Sequence, residues 1–302
     1  MGVYLSMMRK VSIATFGLQA EYGDFRALEI AKEAGADAVD FSLKEYDYRR
    51  PDCIYSKSDV EIQQYFSALG DHAKKLGIEI GQTHGRATGF KNIKEEDDAL
   101  VANARIDCLV TKALNAPVCV VHHPTTIHLG PDASPELMHE LAFDQFSRIL
   151  VHAKQYGVKI AVETFGDAAK YGCCDFFGNI NELLASYRRL KASGDNADYL
   201  AICVDTGHSN KAMGFDNPTP ADVIRMCGAD IQVLHLNDNN GLTDQHKIPG
   251  TGNIDWDDVM RALEEVGYSG VYNMELRLGY LGDEHMAEEA ATAVRVMKNM
   301  LK

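Results

Sequence analysis

The stretch HLNDNNGLTDQH, from His235 to His246, places two histidines, two aspartates and three asparagines directly after the apolar run IQVL. Asn, Asp and Gly suit a turn at the end of a strand, but a turn has no need of imidazoles. Similar side chains end other short apolar runs: His84 in THG, His122 and His123 in VHHP, Glu163 in VETFG, Asp205 and His208 in VDTGH, and Glu275 in MELR. Such a mixture supplies the ligands of a divalent cation and the acids and bases of proton transfer. Taken singly, each has a plainer reading as a hydrogen-bonded loop histidine or a Glu paired with Lys or Arg. Glu163, Asp205, His235 and Glu275, however, stand inside strand-like runs, where a carboxylate is costly to desolvate unless paired or metal-bound. Three carboxylates and one imidazole make a fairly hard donor set without a thiolate, which suits one Mn, Mg, Co or Zn ion. His208 is a further ligand or a partner for a substrate oxygen beside the metal. For His84, His122 and Asp244 the structural and ligating readings both stay open.

Bringing these groups together requires a particular arrangement of elements. Eight apolar runs read as strands: 11–16, 38–43, 78–83, 118–123, 159–164, 201–206, 232–237 and 271–276. They are apolar on both faces, as strands of a helix-covered parallel sheet should be. Between them, apolar residues recur at three- and four-residue spacing over 24–33, 58–76, 135–156, 179–192, 256–266 and 284–301. Small-residue stops such as EAGADAV, KLGIEI, QYGVKI and EVGYSGV end helices just before strands begin. Eight such units with no GxGxxG after the first strand favour a (β/α)8 TIM barrel over an open doubly wound sheet. The expected organisation is one barrel domain over 1–302, with 1–8 a disordered or extra N-terminal segment. Active sites of barrels form at the C-terminal ends of strands, where these side chains fall.

Composition narrows the partners. The 302 residues carry a formal net charge of −14, which disfavours nucleic acid overall. The acidic KEEDDA (94–99), read as a loop at the rim of the third strand, argues the same way; the basic YDYRRPD (46–52) argues mildly against. No apolar run approaches the roughly 20 residues of a membrane helix. MGVYLSMMRK is too short for a signal peptide, and its Gly2/Ser6 match to a myristoylation pattern is discounted. Seven cysteines form no CxxC pair, pointing to reduced thiols in a cytoplasmic protein.

On VETFG, VDTGHSN, HLNDNNGLTDQHKIPGTGNIDW and MELR, in that order, the sequence resembles the xylose-isomerase-like TIM barrel superfamily. That superfamily includes tagatose-3-epimerase-type sugar isomerases and epimerases, inosose dehydratases, hydroxypyruvate isomerases and endonuclease IV enzymes. The resemblance to the epimerases implies one metal on Glu163, Asp205, His235 and Glu275, with His208 contacting substrate. The resemblance to endonuclease IV implies further zinc ligands at His84, His123, Asp244 and His246; in an epimerase these would be substrate-binding groups. The implied activity is isomerisation or epimerisation of a small sugar or polyol-derived carbonyl compound through an enediolate. Glu163 and Glu275 are the candidate catalytic acid and base. An inosose-type dehydratase and a three-zinc abasic-site endonuclease are the alternatives, and a non-catalytic metal- or sugar-binding barrel is a third. A free sugar is preferred to a phosphorylated one, since no Gly-rich phosphate loop is present. Homo-oligomerisation is left open.

Overall fold

Each of the eight apolar runs forms a strand, because only a helix-covered sheet buries residues on both faces at once. The computed structural model describes residues 9–194 and 196–302. The expected extra segment 1–8 and its Gly2/Ser6 pattern lie outside the described residues. The strands are Val11–Ala14 (β1), Ala38–Ser42 (β2), Glu79–His84 (β3), Val118–Val121 (β4), Lys159–Glu163 (β5), Leu200–Asp205 (β6), Ile231–His235 (β7) and Tyr272–Met274 (β8). They pair in parallel in chain order, with β8 beside β1. Leu236 closes the ring: its N–H donates to Asn273 O at 2.8 Å, and its carbonyl accepts from Glu275 N at 3.2 Å. The result is a TIM barrel.

Helices wrap the strands where the periodicity places them. Asp59–Leu76 starts with a capping box in which Ser58 and Glu61 satisfy each other's backbone. Gly77 and Gly157, at φ 68° and 67°, end two helices in the left-handed conformation. One expectation is corrected. KEEDDA is not a loop but the first turn and a half of the helix Lys94–Ala113, and buried Asp97 accepts from Lys91 N (2.7 Å) and Ile93 N (3.1 Å). The basic segment is likewise neutralised locally, because Arg49 pairs with Asp47 and Glu96 and Arg50 with Asp52. Among the described residues no helix is long and apolar enough to cross a membrane.

The barrel interior is divided. On β4 to β7 it is apolar, filled by Val118, Val120, Ala161, Ala201, Cys203 and Val233. On β8, β1, β2 and β3 it is polar, filled by the buried Asn273, Ser12, Asp40 and Gln82. Two irregularities in register set the layer above. The β6–β7 pairing steps from Ile202↔Ile231 to Cys203↔Val233, which brings His235 level with Asp205. The β2–β3 pairing steps from Val39↔Ile80 to Asp40↔Gln82. An extra residue in one strand re-aims the side chains beyond it, because strand side chains alternate with period two.

The long loop after β7 is held by one carboxylate. Asp238 is fully buried and accepts from Asn239 N (2.9 Å), Gly250 N (2.9 Å), Ile254 N (3.3 Å) and Trp256 Nε1 (2.8 Å). The PGTGNIDW sequence is thereby folded around Asp238. Gly252 passes so close that a Cβ there would lie 2.2 Å from Asp238 Oδ1. Asn210 donates to Asn239 Oδ1 (2.8 Å) and Asn253 Oδ1 (2.7 Å), tying the short helix Thr206–Ala212 after β6 to the loop after β7. Trp256→Phe removes one donor from a buried carboxylate and is expected to cost roughly 1–3 kcal/mol. Urea unfolding followed by circular dichroism measures this; an unchanged midpoint would mean Asp238 does not hold the loop.

Candidate active site

The four strand-end residues converge. One ligand atom from each of Glu163, Asp205, His235 and Glu275 lies within 4.8 Å of the others, and all four residues are buried. His235 Nδ1 stands 3.0 Å from Glu163 Oε1 and 3.3 Å from Glu275 Oε2. Asp205 caps the helix Thr206–Ala212 by accepting from His208 N at 2.6 Å, and its Oδ2 accepts from Asn237 Nδ2 at 2.9 Å. Gly207 makes this possible, since a Cβ there would fall 1.9 Å from Asn237 Oδ1. The asparagines that crowd the sequence after His235 are therefore largely positioning groups.

Of the histidines that end β3 and follow β4, His84 and His122 enter the site and His123 does not. His84 lies in the site, with Nδ1 3.2 Å from Glu275 Oε1 and Nε2 3.2 Å from His122 Nε2. His122, not His123, reaches the carboxylates, with Nε2 2.9 Å from Glu163 Oε2. The ring of His123 stacks on Phe177 at 4.3 Å and meets Phe146 edge-on at 4.9 Å. Burial lowers its pKa to about 3, so it is a neutral packing group at ordinary pH. The structure thus places His123, expected in the ligand or substrate shell, outside the converging side chains. The reason is parity: Val118 and Val120 face the interior, so His122 shares their face and His123 takes the other.

Asp244, His246 and His208 form a second group at the mouth. His246 Nε2 is 3.1 Å and His208 Nε2 is 3.7 Å from Asp244 Oδ2. Their other nitrogens face backbone carbonyls, His246 Nδ1 at 3.0 Å from Glu275 O and His208 Nδ1 at 3.1 Å from Thr164 O. His246 adopts φ 47°, a left-handed conformation uncommon outside glycine. Phe165 stands between His122 and His208, its ring 5.6 Å and 5.0 Å from theirs.

Electrostatics follow from burying so many acids together. Burial raises Asp205 to about 6, despite the imidazolium charge of His208, which favours the ionised carboxylate. Burial would also raise Glu163 and Glu275, but the facing imidazoles outweigh it and both lie well below the usual range. For His246, burial opposes the charged form, yet Asp244 and Glu275 lift it to about 9. Neither oxygen of Glu163 nor Nδ1 of His235 finds a hydrogen-bond partner of good geometry. Three buried carboxylates and an imidazole, with both Glu163 oxygens and His235 Nδ1 unpartnered, fit a divalent cation held by Glu163, Asp205, His235 and Glu275.

Two contributors had no role in the sequence reading, and both come from β2 or its end. Lys44 Nζ lies 3.6 Å from Glu275 Oε1 and 4.3 Å from the Phe16 ring centre. Asp40 Oδ2 lies 3.1 Å from His235 Nε2. Asp40 had a signal, a carboxylate inside the apolar run AVDFSL; Lys44 had none.

The family described as Xylose isomerase-like TIM barrel matches residues 28–300. The chain belongs to this family. Among curated family relatives, an inosose isomerase of Halalkalibacterium halodurans is 26% identical over 261 residues, covering 82% of this chain and 81% of that one. An uncharacterised protein of Sinorhizobium fredii is 30% identical over 172 residues, 57% of this chain, and the match spans only 50% of that protein's length. Another, from Methanocaldococcus jannaschii, is matched over 51% of its length. Among solved structures of this fold, a D-tagatose 3-epimerase-like protein superposes with a TM-score of 0.73 at 23% identity, covering 97% of both chains. The IOLI protein with a binding zinc atom superposes with a TM-score of 0.70 at 18% identity, covering 96% of both.

If the four converging residues hold a cation, adding Mn2+, Co2+ or Zn2+ should raise thermal stability. Saturation at about 100 times Kd corresponds to roughly 2.7 kcal/mol. The rise should vanish in Glu275→Gln, which removes one charged ligand. A thermal shift of equal size in wild type and variant would exclude Glu275 as a ligand.

Proposed function

We propose that this protein is a divalent-metal-dependent isomerase or epimerase of a small polyhydroxy carbonyl compound, a sugar or a polyol-derived ketone. The observation that carries this reading is the convergence of Glu163, Asp205, His235 and Glu275 at the barrel mouth. Relatives named as inosose isomerase and D-psicose 3-epimerase support the same class of substrate.

The chemistry is proton transfer at carbon beside a carbonyl. A bound divalent cation supplies Lewis-acid polarisation of the substrate's oxygens. Glu163 ends β5 and Glu275 directly follows β8, and both project into one mouth, so they approach a substrate from different sides. One removes the proton as general base, and the other returns one as general acid. Return of the proton to the neighbouring carbon of the enediolate, with a hydroxyl proton passing between the two oxygens, moves the carbonyl along the chain; return to the original carbon from the opposite face inverts it. His208 and His246, at the mouth, orient hydroxyl groups, and Phe165 offers an apolar surface against the sugar's C–H bonds. The nuclease alternative gains no help from the charge of −14.

A second reading has a specific observation behind it. His84, His122 and Glu163 form one further three-ligand cluster, and His208, Asp244 and His246 form another. In the latter both Nε2 atoms face the same carboxylate while both Nδ1 atoms face carbonyls, the orientation expected of metal-bound imidazoles. This arrangement favours a multi-metal hydrolase of the endonuclease IV kind.

Metal analysis and an activity panel separate the two. On the first reading, purified protein carries one tightly bound divalent ion per chain and interconverts members of a panel of ketoses, aldoses and inososes. His208→Ala then keeps that ion and loses turnover by tenfold or more. Three tightly bound zincs, one lost in His246→Ala, together with nicking of an abasic duplex at physiological salt, would establish the second reading instead.

A further inference from the structure

We infer that Asp40 is a positioning residue that fixes the tautomer and orientation of His235, leaving Nδ1 as the metal-facing nitrogen. The inference rests on the metal reading above. Asp40 sits on β2, a strand that contributes no ligand to the four-residue cluster, and it is fully buried. Among the described residues no Lys or Arg pairs with it; its ion-pair partner is His235, at 3.1 Å from Oδ2 to Nε2. Gln82 Nε2 donates to the same oxygen at 3.1 Å, and Asn273 Nδ2 at 3.2 Å. Asn273 is oriented in turn by Ser12, whose hydroxyl donates to its Oδ1 at 2.8 Å. The polar half of the barrel interior is thus one hydrogen-bonded chain that ends on His235.

The physical argument turns on which nitrogen carries the proton. A neutral imidazole has one N–H and one lone pair, so a proton held on Nε2 leaves the lone pair on Nδ1. Nδ1 is the atom that faces Glu163 Oε1 at 3.0 Å and Glu275 Oε2 at 3.3 Å. A carboxylate accepting from the distal nitrogen also raises the basicity of the ligating one and stops the ring from turning. The register step at Val39/Asp40 places Gln82 opposite Asp40, so the strand pairing itself is irregular where this network forms. Burying a carboxylate this deeply is costly without a purpose of this kind.

The test uses Asp40→Asn and Asp40→Ala in the full chain, with zinc affinity measured by chelator competition. Both variants should bind zinc ten- to hundredfold more weakly than wild type, the alanine variant by more, with folding checked by circular dichroism. Affinity within twofold of wild type in a folded alanine variant would overturn the inference. Should both variants fail to fold, wild-type protein decides, through long-range 1H–15N correlations of its imidazoles, with His235 assigned from its loss in His235→Gln. In zinc-loaded protein His235 should show a slowly exchanging Nε2–H and a metal-bound Nδ1; zinc on Nε2 would refute the proposal. If wild type binds no divalent ion, the metal reading fails by itself. The metal-free protein must still show a protected Nε2 proton on His235, and its absence would count against Asp40 independently.

Discussion

The structure depends on the cost of concentrating negative charge where water cannot reach it. Glu163, Asp205 and Glu275 occupy one buried layer at the barrel mouth, and Asp40 lies in the layer below. Unpaired, such groups would be strongly destabilising, since desolvation of a carboxylate far exceeds the worth of an ordinary contact. The fold answers by surrounding them with imidazoles: His84, His122, His208, His235 and His246 each approach at least one carboxylate within 4.0 Å. Glu163 alone faces four of them. That arrangement keeps Glu163 and Glu275 well below their usual range in spite of burial. It also supplies the neutral and charged donors that a cation and a polyhydroxy substrate would need.

Much of the remaining architecture serves this layer. The apolar half of the barrel packs by volume alone, while the polar half must satisfy every group by a partner. Ser12, Asn273, Gln82 and Asp40 bond to one another through Asp40 Oδ2, while Asp40 Oδ1 is left without a partner. Above the mouth, Asp238 gathers four donors and turns a long surface segment into a fixed wall. Asp244 and His246 can stand over the carboxylates only because that segment is held at both ends, by Asp238 and by the carbonyl of Glu275. Loops that carry function on a barrel need this kind of support, because their backbone lacks the ladder bonds of the strands.

The family relationship and the site complement each other. Membership of the xylose isomerase-like family accounts for the barrel. It does not choose among the chemistries that such barrels support, because function resides in the site rather than the fold. The features that bear on the choice are local: two carboxylates from separate strand ends sharing one imidazole, and an imidazole pair facing Asp244.

The eight strands and the ligand-type residues at their ends were legible in the sequence. Burial on both faces leaves an apolar run of recognisable length, and a carboxylate within such a run is conspicuous. The helix Lys94–Ala113 was not recognised, because its acidic first turn reads as a solvated loop until Asp97 is seen to cap its own backbone. The choice between His122 and His123 was also beyond the sequence. A strand apolar on both faces hides its own parity, and only the closed barrel shows that the residue sharing a face with Val118 and Val120 points inward. Asp40 stood in plain view within AVDFSL, yet its partner lies 195 positions away on β7. Sequence determined which side chains were available and roughly where on their strands they stood. Tertiary structure decided which of them meet, because the register of neighbouring strands, and the two single-residue steps within it, set the level at which each side chain enters the barrel.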